Sequence, residues 1–464
     1  MKQRSRHALL VAAMWGAFVT AAQAEPHVVM ISIDGLRPEV YRQPALLGIE
    51  VPNLLALGRN GISADRMIPV FPSVTYPAHT TLVTGTRPAE HRIVANFKEG
   101  MSWYLHARDI HSETLWQAAR RAGLSTAIVT WPVSYGAEVD YLVPENLSFE
   151  VPNLPELIRK GSTPGLFEAL EEKCGPVELS SFDALDAGKR LDPVTTCFAA
   201  EVIRAHQPNL LLVHFLDADH MQHYFGPNSQ EAMRAFEQID SSIGELMAAT
   251  RAAGIAEETT FVIVGDHGFV PLHTHINVSA MLLASGFAEL VDGKIRISPA
   301  LSVSDFNGSA VYLRDPQDHE TGARLEAALQ AEIDRRYDGI VELIPASELE
   351  RMGAFPEAAF ALAAAPGFML IATDMPRATL PSGTLKGMHG HRPELPEMAT
   401  GFLASGPGIR KGIVIPLIRQ VDVAPTVAEL LGMQMDGALG LPLVGLFDGG
   451  DPGAGAGLDL PTDR

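Results

Sequence analysis

The sequence predicts an α/β protein with a mostly parallel central sheet and helices on both faces. Two observations support this fold class: strand-like apolar runs alternate with amphipathic helical stretches, and the alternation continues through the first half of the chain. Parallel strands need such crossover helices between them. The predicted strands cover residues 28–33, 124–130, 210–215 and 260–264, and the predicted helices cover residues 52–59, 114–122, 194–206 and 229–253.

The pattern changes in the middle of the chain. Residues 271–385 combine shorter strand-like runs with one helical stretch, and they contain no dense group of candidate ligands. We predict that they form a smaller α+β subdomain inserted into a catalytic core of residues 25–270 and 386–448. Residues 449–464 are rich in Gly, Pro and Asp and are predicted to be a flexible tail.

The first 24 residues have the pattern of a secretory signal peptide. Three basic residues precede an apolar stretch at 9–19, and Ala22-Gln23-Ala24 supplies the small residues that precede a cleavage site. The sequence therefore predicts a protein exported to the periplasm or the extracellular space, with residues 1–24 removed. An uncleaved membrane anchor is the alternative. No later run reaches the roughly 18 apolar residues of a spanning helix, so no membrane span is expected after cleavage.

The composition is that of a large acidic protein. The 464 residues are 47% hydrophobic, and 35 basic against 55 acidic residues give a formal charge of −20, or −23 without the signal peptide. Such a field repels nucleic-acid polymers, so binding to them is not expected. A small anionic substrate would need a local positive site, such as bound metal.

The sequence contains two cysteines, Cys174 and Cys197. An exported chain with two cysteines can pair them, and we predict a disulfide. The alternative is a pair of separate buried thiols.

Carboxylates and histidines follow the ends of several hydrophobic runs. Open α/β sheets bind their ligands at the carboxyl edge of the strands, so these side chains could converge there. Taken singly, each has an alternative role as a turn residue, a helix cap or a residue of a solvated surface or loop, and this alternative is stronger for Asp34 than for Asp266 or His389. Zn²⁺ accepts mixed nitrogen and oxygen ligands, and paired metals of this kind serve displacement at phosphorus. The candidates are Asp34, Asp219, His223, Asp266, His267, His389 and His391, with Asp217, His214 and His220 as near neighbours.

A candidate nucleophile lies in the segment Pro72-Ser73-Val74-Thr75-Tyr76-Pro77. Pro77 favours the first turn of a helix, where the Thr75 hydroxyl would meet the positive end of the helix dipole. A threonine hydroxyl needs a metal or a base to become a nucleophile. An N-cap role for Thr75 fits the same sequence.

These motifs, in this order, resemble the nucleotide pyrophosphatase/phosphodiesterase family of the alkaline phosphatase superfamily. The resemblance extends over residues 28–431, and it is most specific in four segments. The segments are Pro72–Pro77, Asp219-x-x-x-His223-x-x-Gly226-Pro227, Asp266-His267-Gly268 and Gly387-Met388-His389-Gly390. The resemblance implies an alkaline-phosphatase-like core.

The resemblance also implies roles for single residues. Two Zn²⁺ ions would be bound, one by Asp219, His223 and His389, the other by Asp34, Asp266, His267 and the oxygen of Thr75. Thr75 would form a phospho-threonine intermediate, and Asn96 would donate to a phosphoryl oxygen. The remaining expected substrate contacts are Tyr76, which follows the nucleophile, Trp131, and His214, which stands where nucleotide-hydrolysing members often carry Tyr.

We therefore expect an exported, zinc-dependent phosphodiesterase or nucleotide pyrophosphatase that acts on a small phosphodiester or nucleotide. Ala78, His214 and His391 depart from the family pattern and leave the leaving group open. Residues 129–136 contain no Lys or Arg, which favours diesters over monoester dianions. The alternatives are a phosphomonoesterase, another phosphate-, phosphonate- or sulfate-ester hydrolase, or a binding protein without activity. The intact candidate ligands and Thr75 argue against the last.

Overall fold

The computed structural model describes residues 25–98, 102–145, 154–177, 191–304 and 309–447. The predicted signal peptide at 1–24 and the predicted tail at 449–464 lie outside these residues.

The strands of the described residues number from β1 to β20 in chain order. They are β1 (His27–Ile33), β2 (Ile62–Ala64), β3 (Met67–Ile68), β4 (Thr126–Val129), β5 (Tyr141–Val143), β6 (Leu210–Phe215), β7 (Thr259–Gly265), β8 (Val270–Asn277), β9 (Ala288–Val291), β10 (Lys294–Ile297), β11 (Leu301–Val303), β12 (Ala310–Leu313), β13 (Val341–Pro345), β14 (Phe360–Ala364), β15 (Gly367–Ile371), β16 (Thr379–Pro381), β17 (Gly387–Met388), β18 (Phe402–Ser405), β19 (Ile413–Ile415) and β20 (Ile418–Arg419).

The α-helices of the same residues number from α1 to α15. They are α1 (Glu39–Arg42), α2 (Pro44–Leu47), α3 (Pro52–Arg59), α4 (Thr75–Thr84), α5 (Pro88–His91), α6 (Leu115–Arg121), α7 (Leu154–Gly161), α8 (Leu166–Cys174), α9 (Asp192–His206), α10 (Asp217–Phe225), α11 (Gln230–Ala253), α12 (Val278–Ala284), α13 (His319–Arg336), α14 (Ala346–Met352) and α15 (Val423–Leu430).

The central sheet has eight strands in the order β19-β2-β18-β7-β1-β6-β4-β5. The strands β7, β1, β6, β4 and β5 are parallel to one another, so their carboxyl ends lie along one edge. Strand β18 is antiparallel to both of its neighbours. The predicted fold class, an α/β protein with a mostly parallel sheet, is confirmed.

Helices cover both faces of this sheet. In β1, Val29, Ile31 and Ile33 join a buried cluster with α3, α8, α9 and α11, whereas Val28 and Met30 join a second cluster with α4, α6 and α15. Because both faces are covered, β1 is a continuous buried run rather than an alternating one. Its last residue, Ile33, lies at the edge of the sheet, and the whole strand remains buried.

The middle of the chain adds two four-stranded sheets and a two-stranded sheet of β9 and β10. Strands β11, β12, β14 and β13 form an antiparallel sheet that packs with α12 and α13, and β8 pairs with β15, β16 and β17. The sheet that contains β8 crosses the predicted boundaries, because Gly387 and Met388 of β17 pair with Pro271 and Val270 of β8. An inserted subdomain at 271–385, joined to the core through β8 and β17, remains our proposal.

Cys174 at the end of α8 is joined to Cys197 of α9 by a disulfide, with the Cα atoms 5.9 Å apart. The prediction of a disulfide is confirmed, and the alternative of two separate thiols is wrong. No helix among the described residues has both the length and the apolar character needed to cross a membrane.

Candidate active site and metal centre

Two predicted ligands and a neighbouring histidine lie at the carboxyl edge of the central sheet. Asp34 directly follows β1, Asp266 directly follows β7, and His214 is the fifth residue of β6. Ile33 pairs with Gly265 on one side and with Phe215 on the other, so the three strands end side by side. All three side chains are buried.

Six predicted ligands form two groups of three, each with its ligand atoms within 4.8 Å of one another. We call Asp219, His223 and His389 the helix cluster, because α10 carries the first two. We call Asp34, Asp266 and His267 the strand cluster.

The two clusters are in contact. In the helix cluster, His223 and Asp219 lie one helical turn apart, with Nε2 and Oδ2 3.4 Å from each other, and His389 Nε2 lies 3.7 Å from Asp219 Oδ1. The ring of His389 stacks on that of His267 in the strand cluster, with 3.6 Å between ring centroids. The structure therefore brings the six side chains into one paired site.

The orientation of the histidines fits metal ligation. The Nδ1 atoms of His223, His267 and His389 face the backbone carbonyl oxygens of Gly387, Gly268 and Ser73 at 3.0, 3.1 and 3.2 Å. A carbonyl oxygen only accepts hydrogen bonds, so Nδ1 carries the proton in the neutral ring and Nε2 keeps its lone pair. In all three rings Nε2 is the atom that faces the cluster. Such partners commonly orient histidine ligands.

The strand cluster also contains unsatisfied carboxylate oxygens. Asp34 Oδ1 and Asp266 Oδ2 each lie 3.2 Å from His267 Nε2. Both oxygens are buried, and neither accepts a hydrogen bond within the described residues. Buried ionised carboxylates without a partner are costly, and a divalent cation between these atoms would satisfy them. The donor set fits a metal that accepts both nitrogen and oxygen.

Burial and crowding shift the pKa values of the carboxylates. Burial raises the pKa of Asp266 to about 7, and the charge of Asp34 adds to the effect. Burial, again with the charge of Asp34, raises the pKa of Asp219 well above its usual range. For Asp34, burial acts to raise the pKa, but the close contacts with His214 and His267 and the charges of these rings outweigh it and hold the pKa well below its usual range. A cation at this place favours the ionised form of every carboxylate.

The histidines respond differently in the two clusters. Burial lowers the pKa of His223 to about 4 and that of His389 well below its usual value, so both rings are neutral at neutral pH. Burial also acts to lower the pKa of His267, but the charges of Asp266 and Asp34 outweigh it and raise the pKa to about 9. Since a ligand must be the neutral ring, a metal at the strand cluster would displace that proton.

Thr75 lies against the strand cluster. It is the first residue of α4, it is buried, and its Oγ1 is 3.4 Å from His267 Nε2. The N-cap position belongs to Val74, so the alternative N-cap role for Thr75 is wrong. The hydroxyl sits at the positive end of a ten-residue helix, beside the candidate metal ligands.

Asn96 has a fixed orientation next to Thr75. The backbone N–H of Tyr76 donates to Asn96 Oδ1 at 2.9 Å. The Oδ1 atom is thereby assigned as the acceptor, and the Nδ2 group is the part of the amide that can donate to a substrate oxygen.

The three other expected substrate contacts are buried in the structure. Tyr76 is 0% exposed, and its hydroxyl donates to Glu145 Oε2 at 2.7 Å. Trp131 is 0% exposed and packs on the ring of His79. His214 contacts Asp34 and Glu145 instead of facing an open surface. Each of these three side chains contacts other side chains of the protein in this structure, so their contact with a substrate remains a prediction.

Two residues of the site were missed by the sequence reasoning. Glu145 lies two residues beyond β5, the same kind of position that identified Asp34 beyond β1. His79 lies one turn after Thr75 on α4, and its Nδ1 is 2.8 Å from the carbonyl oxygen of Thr75 and 3.6 Å from Asp266 Oδ2. The i, i+4 spacing from Thr75 was a usable signal for His79.

Comparison with known proteins places the chain in a family. Residues 28–391 match the family model of type I phosphodiesterase / nucleotide pyrophosphatase. The bis(5'-adenosyl)-triphosphatase ENPP4 of Bos taurus is 23% identical over 432 residues, covering 89% of this chain and 80% of its own length. Ectonucleotide pyrophosphatase/phosphodiesterase family member 7 of Homo sapiens is 24% identical over 444 residues, covering 92% and 84%. A pyrophosphatase/phosphodiesterase of Schizosaccharomyces pombe, described as uncharacterized, is 28% identical over 257 residues, covering 53% of this chain and 45% of its own length.

Solved structures have the same fold. Human ectonucleotide pyrophosphatase/phosphodiesterase 5 aligns with a TM-score of 0.63 at 19% identity, covering 91% of this chain and 100% of that one. An inactive threonine-to-alanine variant of the murine protein, in complex with AMP, aligns with a TM-score of 0.61 at 20% identity, covering 89% and 96%. The paired ligand clusters and the family match lead to one conclusion: this chain belongs to the type I phosphodiesterase / nucleotide pyrophosphatase family, a family of hydrolases of phosphodiester bonds.

Proposed function

We propose that the protein is an exported, zinc-dependent hydrolase that cleaves phosphodiester or pyrophosphate bonds of a small nucleotide-like substrate through a phospho-threonine intermediate at Thr75. The observation that carries this proposal is the position of Thr75, whose Oγ1 lies 3.4 Å from a ring nitrogen of the strand cluster. That cluster stacks directly on the helix cluster. A nucleophile beside two adjoining ligand sets suits in-line displacement at phosphorus.

The ligand sets favour zinc over magnesium. The helix cluster offers two imidazoles and one carboxylate, and the strand cluster offers one imidazole and two carboxylates. Mg²⁺ prefers oxygen ligands and retains several waters, whereas zinc accepts imidazole readily. When bound, two such ions would supply Lewis acidity, which lowers the pKa of an adjoining hydroxyl and neutralises charge on phosphate oxygens.

The chain supplies the nucleophile and its orientation. Thr75 Oγ1 would lose its proton to solvent and attack phosphorus, and the bond between phosphorus and the leaving oxygen would break. Water would then attack the phospho-threonine, break the new ester and restore the Thr75 hydroxyl. Asn96 Nδ2 would donate to a non-bridging oxygen in both steps, because its Oδ1 is engaged by the Tyr76 amide.

The relatives suggest the substrate class. One relative is a bis(5'-adenosyl)-triphosphatase, and one structural neighbour was solved with AMP. We therefore propose a nucleotide or another small phosphodiester as the substrate of this chain. The formal charge of −20 argues against nucleic-acid polymers as substrates.

The signal-peptide pattern at 1–24 supports export. The Cys174–Cys197 disulfide is consistent with an oxidising compartment outside the cytosol.

Metal analysis combined with a diester assay tests the proposal. Purified protein should contain about two zinc ions per chain, as expected for one ion in each ligand cluster. A chelator should abolish cleavage of a p-nitrophenyl nucleotide ester, and added Zn²⁺ should restore it. His389→Ala should lose metal and nearly all activity, while His273→Ala, at an exposed histidine of β8, should keep both.

Two outcomes would contradict the proposal. Full zinc content and full activity in His389→Ala would remove His389 from the site. Faster cleavage of p-nitrophenyl phosphate than of the diester would favour a phosphomonoesterase on the same fold.

A further inference from the structure

A chain of buried polar contacts leads from the strand cluster to the residue behind the nucleophile. Asp34 Oδ2 lies 3.3 Å from His214 Nε2, and His214 Nδ1 lies 3.3 Å from Glu145 Oε1. The other oxygen of Glu145 accepts the hydrogen bond from the Tyr76 hydroxyl at 2.7 Å. None of these four side chains is more than 6% exposed.

These contacts join separate elements along the sheet edge. Asp34 follows β1, His214 belongs to the neighbouring β6, and Glu145 follows β5, which is separated from β6 by β4. Tyr76 belongs to α4, immediately after Thr75. The contacts therefore connect a candidate metal ligand to the helix that carries the candidate nucleophile.

Both ends of this connection have a place in the proposed chemistry. Asp34 offers Oδ1 to the strand cluster and Oδ2 to His214, so the contact with His214 sets the rotation of its carboxylate. The Tyr76 backbone N–H orients Asn96, while the Tyr76 ring is held by Glu145. Partners of this kind behind metal ligands typically change metal affinity or activity 10–100-fold when they are removed.

We propose that Glu145 and His214 are positioning residues, which fix Asp34 in its metal-binding orientation and fix Tyr76 behind Thr75 and Asn96. This inference rests on the proposed function, since it assumes that a metal binds at the strand cluster. It assigns His214, which stands where the family resemblance implies a Tyr in nucleotide-hydrolysing members, to support of the metal site instead of contact with the substrate.

A buried carboxylate elsewhere in the protein provides a matched control. Asp240 on α11 is 1% exposed and accepts hydrogen bonds from the backbone N–H groups of Asn53 and Leu54. Its partners lie in α3, whose cluster packs on the sheet face, and they include no candidate metal ligand. Asp240→Asn should therefore change stability without changing metal affinity.

The experiment measures the affinity of metal-stripped protein for Zn²⁺ by competition with a chromophoric chelator, together with kcat and KM for a nucleotide diester. In Glu145→Ala, one of the two zinc equivalents should bind about 10–100-fold more weakly, and kcat should fall more than KM rises. Glu145→Gln keeps two polar atoms and should recover part of the affinity. Tyr76→Phe, which removes only the hydroxyl, should give a smaller loss than Glu145→Ala.

Cobalt substitution gives a second readout. The absorption bands of bound Co²⁺ depend on ligand geometry, so Glu145→Ala should shift the bands of one site, and Asp240→Asn should shift neither. If Glu145→Ala does not fold, Glu145→Gln and Tyr76→Phe carry the test.

The possible failures are distinguishable. If the wild-type protein binds no zinc, the proposed function fails and this inference fails with it. If the wild-type protein binds two zinc ions, and folded Glu145 variants keep both affinities and the Co²⁺ bands, only the positioning role is overturned.

Discussion

Replacement of Asn96 separates its two hydrogen-bonding roles. Asn96 Oδ1 accepts the Tyr76 N–H at 2.9 Å, and we assign Nδ2 to a phosphoryl oxygen. Asn96→Asp keeps an oxygen for the Tyr76 N–H but replaces the donor with a negatively charged acceptor. Asn96→Ala removes both groups. The pair of variants therefore isolates the contribution of the donor.

The expected magnitude follows from the charge on the substrate. A hydrogen bond to a charged group contributes about 1.5–3 kcal/mol, so Asn96→Ala should lower kcat/KM about ten- to a hundred-fold. Asn96→Asp should lower kcat/KM at least as much as Asn96→Ala, because the new carboxylate repels the phosphate of the substrate. Only Asn96→Ala leaves the Tyr76 N–H without its partner, which costs about 1–3 kcal/mol of stability when the group stays buried.

The assay is steady-state cleavage of a p-nitrophenyl nucleotide ester, with zinc content and the free energy of unfolding measured on the same samples. Asn53→Ala is the matched control, since Asn53 bonds Asp240 and lies outside the candidate site. It should lose stability without losing kcat/KM. A value of kcat/KM near wild type in zinc-loaded Asn96→Asp would refute the assignment of Nδ2 as a donor to the substrate.

Three further predictions concern specificity, pH and the disulfide. The kcat/KM for a p-nitrophenyl nucleotide diester should exceed that for p-nitrophenyl phosphate by at least about ten-fold, because residues 129–136 supply no Lys or Arg for the extra charge of a monoester; equal values would contradict this. Burial lowers the pKa of His91 from 6.5 to about 3, so the unfolded chain binds the proton first. The free energy of unfolding should therefore be unaffected by His91 above about pH 6.5 and lower by about 2 kcal/mol at pH 5. Urea unfolding of His91→Gln should not show this decrease. Reduction of the disulfide, whose cysteines are 23 residues apart, should lower the free energy of unfolding by about 3 kcal/mol, and an unchanged urea midpoint would contradict it.

Local sequence signals were sufficient for the parallel strands β1, β4, β6 and β7 of the central sheet and for the position of the candidate ligands. The strand predicted at 210–215 and the helix predicted at 52–59 have those bounds in the structure, because each is a long apolar or amphipathic run. Asp34 and Asp266 were identified because each directly follows such a strand. The short strands β2 and β19, with three residues each, were missed because so few residues carry no clear period.

The side chains that contact the candidate ligands come from distant parts of the sequence, so these contacts could not be predicted from local sequence patterns. Tyr76 is an expected substrate contact, and in the structure its hydroxyl donates a hydrogen bond to Glu145, 69 residues away in sequence. His214 meets Asp34 across 180 residues. Such contacts arise only when the strands are placed side by side, and no local pattern encodes them.

The configuration at phosphorus tests most directly whether Thr75 forms a covalent intermediate. A chiral phosphorothioate diester of a nucleotide can be hydrolysed in water labelled with heavy oxygen, and phosphorus NMR then gives the configuration of the product. Attack by Thr75 followed by attack of water comprises two in-line displacements, each of which inverts phosphorus. We therefore predict overall retention of configuration, and overall inversion would show that water attacks directly and would contradict the role proposed for Thr75.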